Sequence, residues 1–369
     1  MMLLKVWVTL AALTCLREPL LALAQHAGPG KHSHYEFLRA VPGGGGDQKP
    51  FPLPPDNNGI HLAVSPQCGK LSGSTADINA GIDSGRINTI VSFGDSYTDG
   101  GKSDGSPLDP PILIPPSPLA GGRSTNGLTW IEDVANDVKA TIMDYAQSGA
   151  CIDLSLWPSN PRKVDFLGQM NTFLGQDHDL NPDTTLYSIF FGINDYLASL
   201  QDGNHMPQAA QTLLDQIQIL ASPPTNARNF MVSDVYGRGT TAPSGEAFKQ
   251  TIYTGLSEFH ETGIKINGTS NPVKVNIAYI NLANIWDGVL GSSPGYKAFG
   301  YNSTDSCTQC TASLGCTTIG MCDDPDHYFY WIPGHPSKQT MRIMADYVSE
   351  VWAQCRVTEA QVSSFVHMD

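Results

Sequence analysis

The sequence predicts an α/β fold with a parallel sheet of five strands that is covered by helices on both faces. Five short apolar segments follow one another from residue 88 onward, and stretches with helical spacing separate them. The segments are largely continuous apolar runs, as is usual for strands buried on both faces of a sheet. Several of them end in glycine and small polar residues, which mark the turns that follow strands.

The elements alternate along the chain in the order that such a sheet requires. The predicted strands cover residues 89–93, 141–145, 185–191, 229–235 and 273–280. The predicted helices cover residues 127–139, 164–174, 208–220, 244–264 and 337–355. Residues 107–118 are too rich in proline for a helix, and residues 290–328, which hold four cysteines, are predicted to be a disulfide-tied loop.

Composition narrows the class of protein. The chain has 369 residues, of which 41% are hydrophobic and 15% are charged, so it is long and apolar enough for a large globular core. Its formal net charge is −14, and it has no cluster of Lys and Arg. Because nucleic acids and anionic membranes select for such clusters, the sequence argues against both as the main partner.

The N-terminus has the features of a secretory signal peptide. Lys5 precedes an apolar run over residues 6–16, and Ala22-Leu-Ala24 offers a small-residue cleavage site. We therefore expect residues 1–24 to be a signal peptide and the protein to be secreted and extracellular. No other segment has the roughly 20 apolar residues that span a bilayer, so no stable membrane association is expected.

The rest of the chain divides by composition into three parts. Residues 25–85 are a Gly/Pro-rich N-terminal extension, whose composition favours a pro-segment, a linker or a loosely packed arm. Residues 86–357 hold the alternating strands and helices of the domain, and residues 358–369 are a C-terminal tail. The sequence predicts no particular oligomeric state.

The cysteines fit an exported protein. Cys15 would be removed with the signal peptide, and the four cysteines near residue 315 favour disulfides in a secreted chain, although they also suit zinc by their spacing. The sequons that begin at Asn267 and Asn302 fit N-glycosylation in the same compartment. Seven cysteines remain, so one thiol is expected to be free and the pairing stays open: Cys68, Cys151, Cys307, Cys310, Cys316, Cys322 and Cys355.

Four candidate site residues are found at the ends of strands or just before a helix. Ser96 follows the first strand in Gly94-Asp-Ser96, Gly149 follows the second strand, and Asn194 follows the third. His335 precedes the last helix. Each alone suits a turn, a helix cap or an ordinary polar contact. Because the carboxyl ends of parallel strands share one edge, the four can converge as a hydroxyl nucleophile, a base and oxyanion donors, the groups that acyl transfer needs.

Together these motifs resemble the GDSL (SGNH) hydrolase family over roughly residues 88–355. The resemblance implies a flavodoxin-like three-layer α/β/α sandwich (the SGNH hydrolase fold) and ester hydrolysis. It makes Ser96 the nucleophile and His335 the base. It makes Gly149 and Asn194 oxyanion donors beside the N–H of Ser96. Residues 122–127 are also similar to a segment that members often carry. The four segments that carry the resemblance are Phe93-Gly-Asp-Ser-Tyr-Thr-Asp99, Asp144-Tyr-Ala-Gln-Ser-Gly-Ala150, Phe191-Gly-Ile-Asn-Asp195 and Gly334-His-Pro336.

One position departs from the family pattern. The family usually has an aspartate three residues before the histidine, where this chain has Ile332. Such a carboxylate fixes the tautomer of the imidazole and stabilises its charged form. Three outcomes are open: an acid from the preceding loop takes this role, a backbone carbonyl holds His335 Nδ1–H, or the protein is a weak catalyst. The candidate acids are Asp323, Asp324 and Asp326.

Two further groups lie close to these motifs. Asp95 is interpreted as a structural carboxylate that bonds backbone N–H groups of its own turn. The aromatic run at residues 328–331 suits either stacking on a sugar ring or packing of alternate side chains into the core. The same two interpretations apply to Trp130, Trp157 and Trp286.

The predicted function is that of a secreted serine esterase. Among secreted members of the family, the layout is most similar to the acetyl esterases of carbohydrate esterase family 16, which implies deacetylation of hemicellulose-derived oligosaccharides. A lipase-type or phospholipase-type esterase is the alternative among enzymes. A non-catalytic carbohydrate-binding protein is the alternative from another class, because of Ile332. The expected partner is a small ester or an acetylated oligosaccharide, and the reaction needs neither a metal nor an organic cofactor.

Overall fold

The structure, a computed structural model, describes residues 56–266, 270–311 and 315–357. The predicted signal peptide, the Asn267 sequon and the predicted C-terminal tail lie outside these residues, as does the first half of the N-terminal extension. All described residues belong to one unit of the chain, residues 52–369. Within them, none of the helices is both long enough and apolar enough to cross a bilayer.

The central sheet combines a parallel core with one antiparallel edge strand. Among the described residues it has six strands: β1 (Ile78–Ala80), β2 (Thr89–Gly94), β3 (Thr141–Asp144), β4 (Thr185–Phe190), β5 (Asn229–Asp234) and β6 (Asn276–Asn281). Their spatial order is β1-β6-β5-β4-β2-β3. β2 to β6 are parallel, and β1 pairs antiparallel with β6. The five predicted parallel strands are all present, and β1 is a sixth that the sequence did not predict.

Helices cover both faces of this sheet. In the described part of the chain they are α1 (Trp130–Val138), α2 (Phe166–Gly175), α3 (Ile193–Asp202), α4 (Met206–Ala221), α5 (Pro243–Thr262), α6 (Ala283–Leu290) and α7 (Lys338–Gln354). Successive strand residues point to opposite faces. Phe93 and Tyr187 pack with α2, α4 and α5, whereas Ile90 and Phe190 pack with α1, α6 and α7. This arrangement confirms the predicted three-layer α/β/α fold.

Residues 56–85 pack against the domain, which differs from the loosely packed arm and the domain start at residue 86 that composition predicts. They contribute β1, and buried Asn79 fixes this strand on α7 because its Nδ2 donates to the carbonyl of Trp352 at 2.9 Å. The Cys68–Cys355 disulfide joins the same two regions of the chain. β1 has three residues, so it is too short for an alternation pattern to reveal it within a Gly/Pro-rich segment.

The cysteine-rich region folds into a small β-structure next to His335. It contains β7 (Ser303–Ser306), β8 (Gln309–Thr311), β9 (Gly315–Thr317), β10 (Tyr328–Ile332) and β11 (His335–Pro336). β7, β10 and β11 form one sheet, and β8 pairs with β9. The disulfides Cys307–Cys322 and Cys310–Cys316 tie it together, whereas Cys151 is buried as a free thiol. The interpretation of the cysteines as disulfides rather than zinc ligands is confirmed.

The proline-rich loop that follows β2 rests on this β-structure. The N–H of Thr318 donates to the carbonyl of Pro116 at 3.0 Å, and Trp331 Nε1 donates to the carbonyl of Pro118 at 2.6 Å. These bonds cross between segments about two hundred positions apart in sequence. The two irregular regions therefore support each other beside the carboxyl edge of the sheet.

Arg123 fixes the other end of the same loop to α1. Its side chain is 1% exposed, and it binds Glu132 through two hydrogen bonds, Nε to Oε2 at 2.7 Å and Nη2 to Oε1 at 2.6 Å. Nη2 also donates to the carbonyl of Asp109 at 2.9 Å. Glu132 accepts the N–H of Thr129 in addition, so it caps α1 while it binds Arg123.

Candidate active site

The carboxyl ends of three neighbouring strands carry three of the predicted site residues. β3, β2 and β4 lie side by side in parallel, so their ends meet at one edge of the sheet. Ser96 follows β2, Gly149 follows β3, and Asn194 lies in the first turn of α3 just after β4. His335 in β11, just before α7, completes the group. All four residues are half-buried, so this edge stays open to solvent at the place where they meet.

Ser96 and His335 form a hydrogen-bonded pair. The distance between Ser96 Oγ and His335 Nε2 is 2.9 Å, and that between His335 Nδ1 and the carbonyl oxygen of Pro333 is 3.0 Å. A carbonyl oxygen can only accept, so Nδ1 carries the hydrogen of the neutral ring. Nε2 is then left to accept the hydroxyl hydrogen of Ser96. The pair is thus arranged for transfer of a proton from serine to histidine.

The environment of His335 favours the neutral imidazole. Its pKa is lowered to about 4, chiefly because the ring is buried and further because the guanidinium of Arg238 is nearby. The hydrogen bond to the carbonyl of Pro333 acts in the opposite direction and has the smaller effect. At neutral pH the ring is therefore uncharged and free to accept a proton.

The structure does not bring the three candidate acids to His335. Asp326 pairs with Lys338 Nζ at 3.1 Å, Asp324 accepts His327 Nδ1 at 2.8 Å, and Asp323 is exposed. In the described part of the chain, the partner of His335 Nδ1 is the carbonyl of Pro333. This corrects the expectation of a loop carboxylate in favour of the second outcome considered from the sequence.

The side chain of Ile332 explains why no carboxylate is found at that position. Ile332 is 8% exposed and packs with Cys307 and Trp331 in the apolar centre of the small β-structure. The chain then turns so sharply that Ile332 and His335 are direct partners in the β10–β11 pairing. This turn directs the carbonyl of Pro333 back to the ring of His335.

Three N–H donors, those of Ser96, Gly149 and Asn194, belong to residues at this edge of the sheet. The backbone N–H groups of Ser96 and Gly149 have no acceptor among the described residues. Asn194 Nδ2 donates to the carbonyl of Ala150 at 2.9 Å and makes a longer contact, 3.4 Å, to Asp95 Oδ2. Gly149 has a φ of +85°, which favours glycine there. Free backbone donors and an amide beside a serine are the parts from which oxyanion sites are built.

The chain matches the model of the GDSL-like Lipase/Acylhydrolase family over residues 90–348. It belongs to that family. The match covers more than half of the chain and includes all four segments that carry the resemblance. The protein is therefore a carboxylic ester hydrolase, and the interpretation as a non-catalytic binding protein is not retained.

Other comparisons give distant likenesses to this GDSL hydrolase. No curated protein matches the chain. An alpha/beta hydrolase, LAE5, from the metagenome of Lake Arreo is 13% identical with a TM-score of 0.40, covering 73% of this chain and 97% of that one. The acetylxylan esterase Axe2 from Geobacillus stearothermophilus is 14% identical with a TM-score of 0.37, covering 72% and 96%. Phospholipase A1 from Streptomyces albidoflavus is 15% identical with a TM-score of 0.34, covering 71% and 97%. At such low TM-scores these likenesses assign no substrate.

Two buried polar side chains hold the Ser96 turn of this GDSL hydrolase. Gln169 of α2 binds both backbone groups of Gly94: it accepts the N–H at 3.0 Å and donates to the carbonyl at 2.8 Å. Asp95 accepts the N–H of Tyr97 at 3.0 Å, which confirms its interpretation as a structural carboxylate. Burial raises the pKa of Asp95 to about 7. The turn that presents Ser96 is thus fixed on both of its sides.

A second buried carboxylate fixes the start of α3. Asp195 Oδ1 accepts the N–H of Ile152 at 2.9 Å and Trp157 Nε1 at 2.7 Å. These contacts join the Asn194 segment to the segment that follows Gly149. Trp157 is fully buried, as are Trp130, Trp286 and Trp331, so the core interpretation of the tryptophans is the correct one. Within the aromatic run, Tyr328 and Tyr330 remain half-buried.

The sequence reasoning missed two residues at this edge, Gln169 and Arg238. Arg238 lies between β5 and α5, and its Nη1 donates to the carbonyl of Gly334 at 3.2 Å. The hydroxyl of Tyr97 donates to the same carbonyl at 2.6 Å. Neither Gln169 nor Arg238 belongs to a motif, since each reaches the site through long-range packing that local spacing does not encode.

Proposed function

We propose that Ser96 is the nucleophile and His335 the general base of an acetyl esterase that acts on hemicellulose-derived oligosaccharides. The observation that carries the catalytic assignment is the 2.9 Å contact between Ser96 Oγ and His335 Nε2, together with the carbonyl that holds Nδ1–H. A serine hydroxyl is a weak nucleophile until a neighbouring base removes its proton. A neutral imidazole supplies that base.

The proposed reaction begins with attack of Ser96 Oγ on the ester carbonyl carbon while its proton moves to His335 Nε2. The carbonyl oxygen becomes an oxyanion. When this intermediate collapses, the bond between the carbonyl carbon and the alcohol oxygen breaks, and His335 Nε2–H protonates the leaving alcohol. Water then attacks the acyl-Ser96 ester with His335 again as base, and it releases the acid and the free serine.

The oxyanion is stabilised in this proposal by the N–H groups of Ser96 and Gly149 and by Asn194 Nδ2. The two backbone donors have no acceptor among the described residues, so they keep their hydrogen-bonding capacity for a ligand. The Asn194 amide can replace its long 3.4 Å contact to Asp95 with a bond to the oxyanion. Removing one such donor from a serine hydrolase costs about 10²–10³ in kcat.

The carbonyl of Pro333 takes the orienting part of the role that a carboxylate plays in other serine hydrolases. It fixes the tautomer of His335, because it accepts Nδ1–H at 3.0 Å. It carries a partial rather than a full negative charge, so it stabilises the imidazolium less. In this proposal Ser96 and His335 form a dyad whose geometry is complete without an acidic third member.

The choice of an acetyl ester and of an oligosaccharide rests on the four sequence segments. Their order and their residues resemble those of carbohydrate esterase family 16. The signal-like residues 1–24 and the disulfides support secretion to the medium. Asn302 is exposed, as N-glycosylation requires. We include secretion and glycosylation at Asn302 in the proposal.

A second candidate substrate is a lipid ester, favoured by exposed apolar side chains on two neighbouring loops. Ile114 on the proline-rich loop is 69% exposed, and Ile319 on the cysteine-rich loop is 71% exposed. The N–H of Thr318 donates to the carbonyl of Pro116, so the two loops are in contact. Exposed isoleucines on joined loops suit an acyl chain better than a sugar.

Covalent labelling and a substrate panel test these assignments. A fluorophosphonate should label the wild type at Ser96 and should not label Ser96→Ala. Acetylated xylo-oligosaccharides should be better substrates than phospholipids or long-chain 4-nitrophenyl esters. A preference for phospholipids or long-chain esters over acetylated xylo-oligosaccharides would establish the lipid alternative, provided that Ile114→Ser and Ile319→Ser abolish this preference. Failure of folded wild-type protein to react with the fluorophosphonate would refute the esterase mechanism.

The dyad has its own test. His335→Ala should lower kcat by about 10⁴ or more, as loss of the base does in serine hydrolases. Asp326→Asn and Asp324→Asn should keep kcat within about twofold, because their carboxylates bind Lys338 and His327 instead of His335. A large loss of kcat in Asp326→Asn, in protein with wild-type stability, would contradict the dyad.

A further inference from the structure

Arg238 is a half-buried cation beside the proposed catalytic pair. It lies after β5, at the same edge of the sheet as Ser96, and its Nη1 donates to the carbonyl of Gly334, the residue next to His335. The positive charge of Arg238 also acts on the imidazole ring of His335, because it lowers the pKa of that ring. No ion pair joins Arg238 to any carboxylate in the residues that the structure describes.

The groups around Arg238 do not neutralise it. Asp95 is the carboxylate whose pKa it lowers, but Asp95 is fully buried and accepts the N–H of Tyr97. Burial raises the pKa values of Tyr97 and Tyr330, so their hydroxyls are neutral at pH 7. A guanidinium has five N–H donors; one is used on the Gly334 carbonyl, and the side chain also hydrogen-bonds Tyr97. A partly desolvated charge with spare donors favours an anionic ligand.

The backbone is also adapted to hold the guanidinium at this place. Arg238 has a φ of +48°, a conformation that residues other than glycine adopt at an energetic cost. Gly334 has a φ of +70°, and a Cβ there would lie 2.5 Å from Arg238 Nη1. The chain therefore accepts strain at Arg238, and the positive φ of Gly334 favours glycine next to the guanidinium.

The proposed reaction indicates which part of the bound substrate lies next to Arg238. In the proposed reaction, Gly149 and Asn194 bind the oxyanion, whereas His335 gives its proton to the leaving alcohol. A group that contacts the backbone next to His335 therefore faces the alcohol portion of the ester. We propose that Arg238 binds a carboxylate carried by the alcohol portion, which makes acidic alcohols, such as uronic-acid-bearing oligosaccharides, the preferred substrates. This proposal rests on the proposed function of the same site.

Matched small esters test the proposal. 4-Acetoxybenzoate carries a carboxylate on the leaving group, 4-acetoxybenzamide is its neutral counterpart, and 4-acetoxyphenyl phosphate carries a phosphate instead. The measured quantity is the ratio of kcat/KM for the carboxylate ester to that for the amide ester. It should fall about tenfold to a hundredfold in Arg238→Gln, and less in Arg238→Lys, which keeps the charge but loses the planar fork. Arg86→Gln, an exposed arginine in the segment before β2, is the matched control and should keep the wild-type ratio.

A binding measurement makes the proposal independent of turnover. Folded Ser96→Ala protein should bind 4-hydroxybenzoate more tightly than 4-hydroxybenzamide, as followed by calorimetry. The difference should be lost when Arg238→Gln is added. A difference that survives in the double variant would show that another group binds the carboxylate.

The outcomes separate this proposal from the proposed function. If wild-type protein hydrolyses both esters with a ratio that Arg238→Gln leaves unchanged, the esterase assignment holds and the role of Arg238 is refuted. If the phosphate ester is preferred over the carboxylate ester, the group that Arg238 binds is a phosphate and the proposed carboxylate is refuted. If neither ester is hydrolysed and Ser96 is not labelled, while Ser96→Ala still discriminates the two ligands through Arg238, the reaction is refuted and the anion site is retained.

Discussion

His335 is the residue whose surroundings depart most from the usual serine hydrolase. Its Nδ1–H is held by the carbonyl of Pro333, its half-buried ring is partly desolvated, and the guanidinium of Arg238 is nearby. Desolvation and the guanidinium favour the neutral ring over the imidazolium, whereas the hydrogen bond to Pro333 acts in the opposite direction with a smaller effect. In the proposed mechanism the base is therefore available over a wide range of pH, but the charged state that it must reach during the reaction is poorly stabilised.

This environment predicts an acid-tolerant pH profile for the reaction. Because the pKa of His335 is lowered to about 4, the base should lose activity only as pH falls through that value. We expect kcat/KM for a neutral acetyl ester to be nearly constant from pH 7 to pH 5 and to halve near pH 4, with circular dichroism confirming that the protein is folded. Asp326→Asn should give the same profile. An inflection near pH 6.5 would mean that His335 titrates as an ordinary histidine.

Among single residues, the sequence predicted which residues meet at the edge of the sheet better than it predicted the groups that support them. Ser96, Gly149, Asn194 and His335 could be found because turn residues at successive strand ends meet at one edge of a parallel sheet. The orienting partner could not, because it is a backbone carbonyl and leaves no side-chain signal. The two hydrogen bonds between Gln169 and Gly94 also depend on how α2 packs on β2. The spacing of residues along the chain does not specify that packing.

Among the elements, the proline-rich loop after β2 shows how an irregular segment is fixed without secondary structure. One end is bound through Pro116 and Pro118 to the cysteine-rich region, and the other end through Arg123 to α1. The Arg123 side chain is 1% exposed and that of Glu132 8% exposed, so this ion pair is shielded from water. Breaking a buried pair leaves an uncompensated charge, which costs far more than losing a surface pair.

Removing one partner should therefore destabilise the protein strongly. We expect Arg123→Met to lower the free energy of unfolding by about 3–5 kcal/mol in urea denaturation, because Glu132 is left buried without a counter-charge. The double variant Arg123→Met/Glu132→Gln should recover part of that loss, since the buried charge is gone. A loss below about 1 kcal/mol in the single variant would mean that water reaches Glu132 in its place.

Prediction of elements succeeded where segments were long and apolar. β2 to β6 and the five predicted helices all form, with ends that differ by a few residues from the predicted ones. The sequence did not predict α3 or α6, the first because it begins inside the Asn194 motif and the second because it has only eight residues. It also missed β1, whose three residues are stabilised by Asn79 and by distant parts of the chain.

For the whole molecule, the main electrostatic feature of the described residues is a set of buried carboxylates whose pKa values are raised. Burial raises the pKa values of Asp95, Asp133 and Asp234 to about 7 and those of Asp77 and Asp195 to about 6. In each case the folded state binds the proton more tightly than the unfolded chain, so the free energy of unfolding rises as pH falls from 7 toward 5. His335 opposes this trend, because its lowered pKa makes the unfolded state the better proton acceptor below about pH 6.5.

Among the described residues, carboxylates whose pKa is raised outnumber the groups whose titration acts in the opposite direction, so we expect higher thermal stability at mildly acidic pH. Tm should be about 5 °C or more higher at pH 5 than at pH 7.5, as measured by differential scanning calorimetry. Asp234→Asn should raise Tm at pH 7.5 and narrow the gap, because one of the titrating carboxylates is replaced by a neutral group. Asp179→Asn, which changes an exposed carboxylate, should leave the gap unchanged. Equal Tm values at the two pH values in the wild type would contradict the burial argument.

The Cys68–Cys355 bond also changes the topology of the molecule, because it makes the chain from residue 68 to residue 355 a covalent ring. A single peptide-bond cut in that ring, for example beside the exposed Ile114, opens it without releasing a fragment. The two parts would migrate together on a non-reducing gel and separate only after reduction. A chain that is cut once by a protease thus keeps its strands and helices attached to one another until a second cut is made.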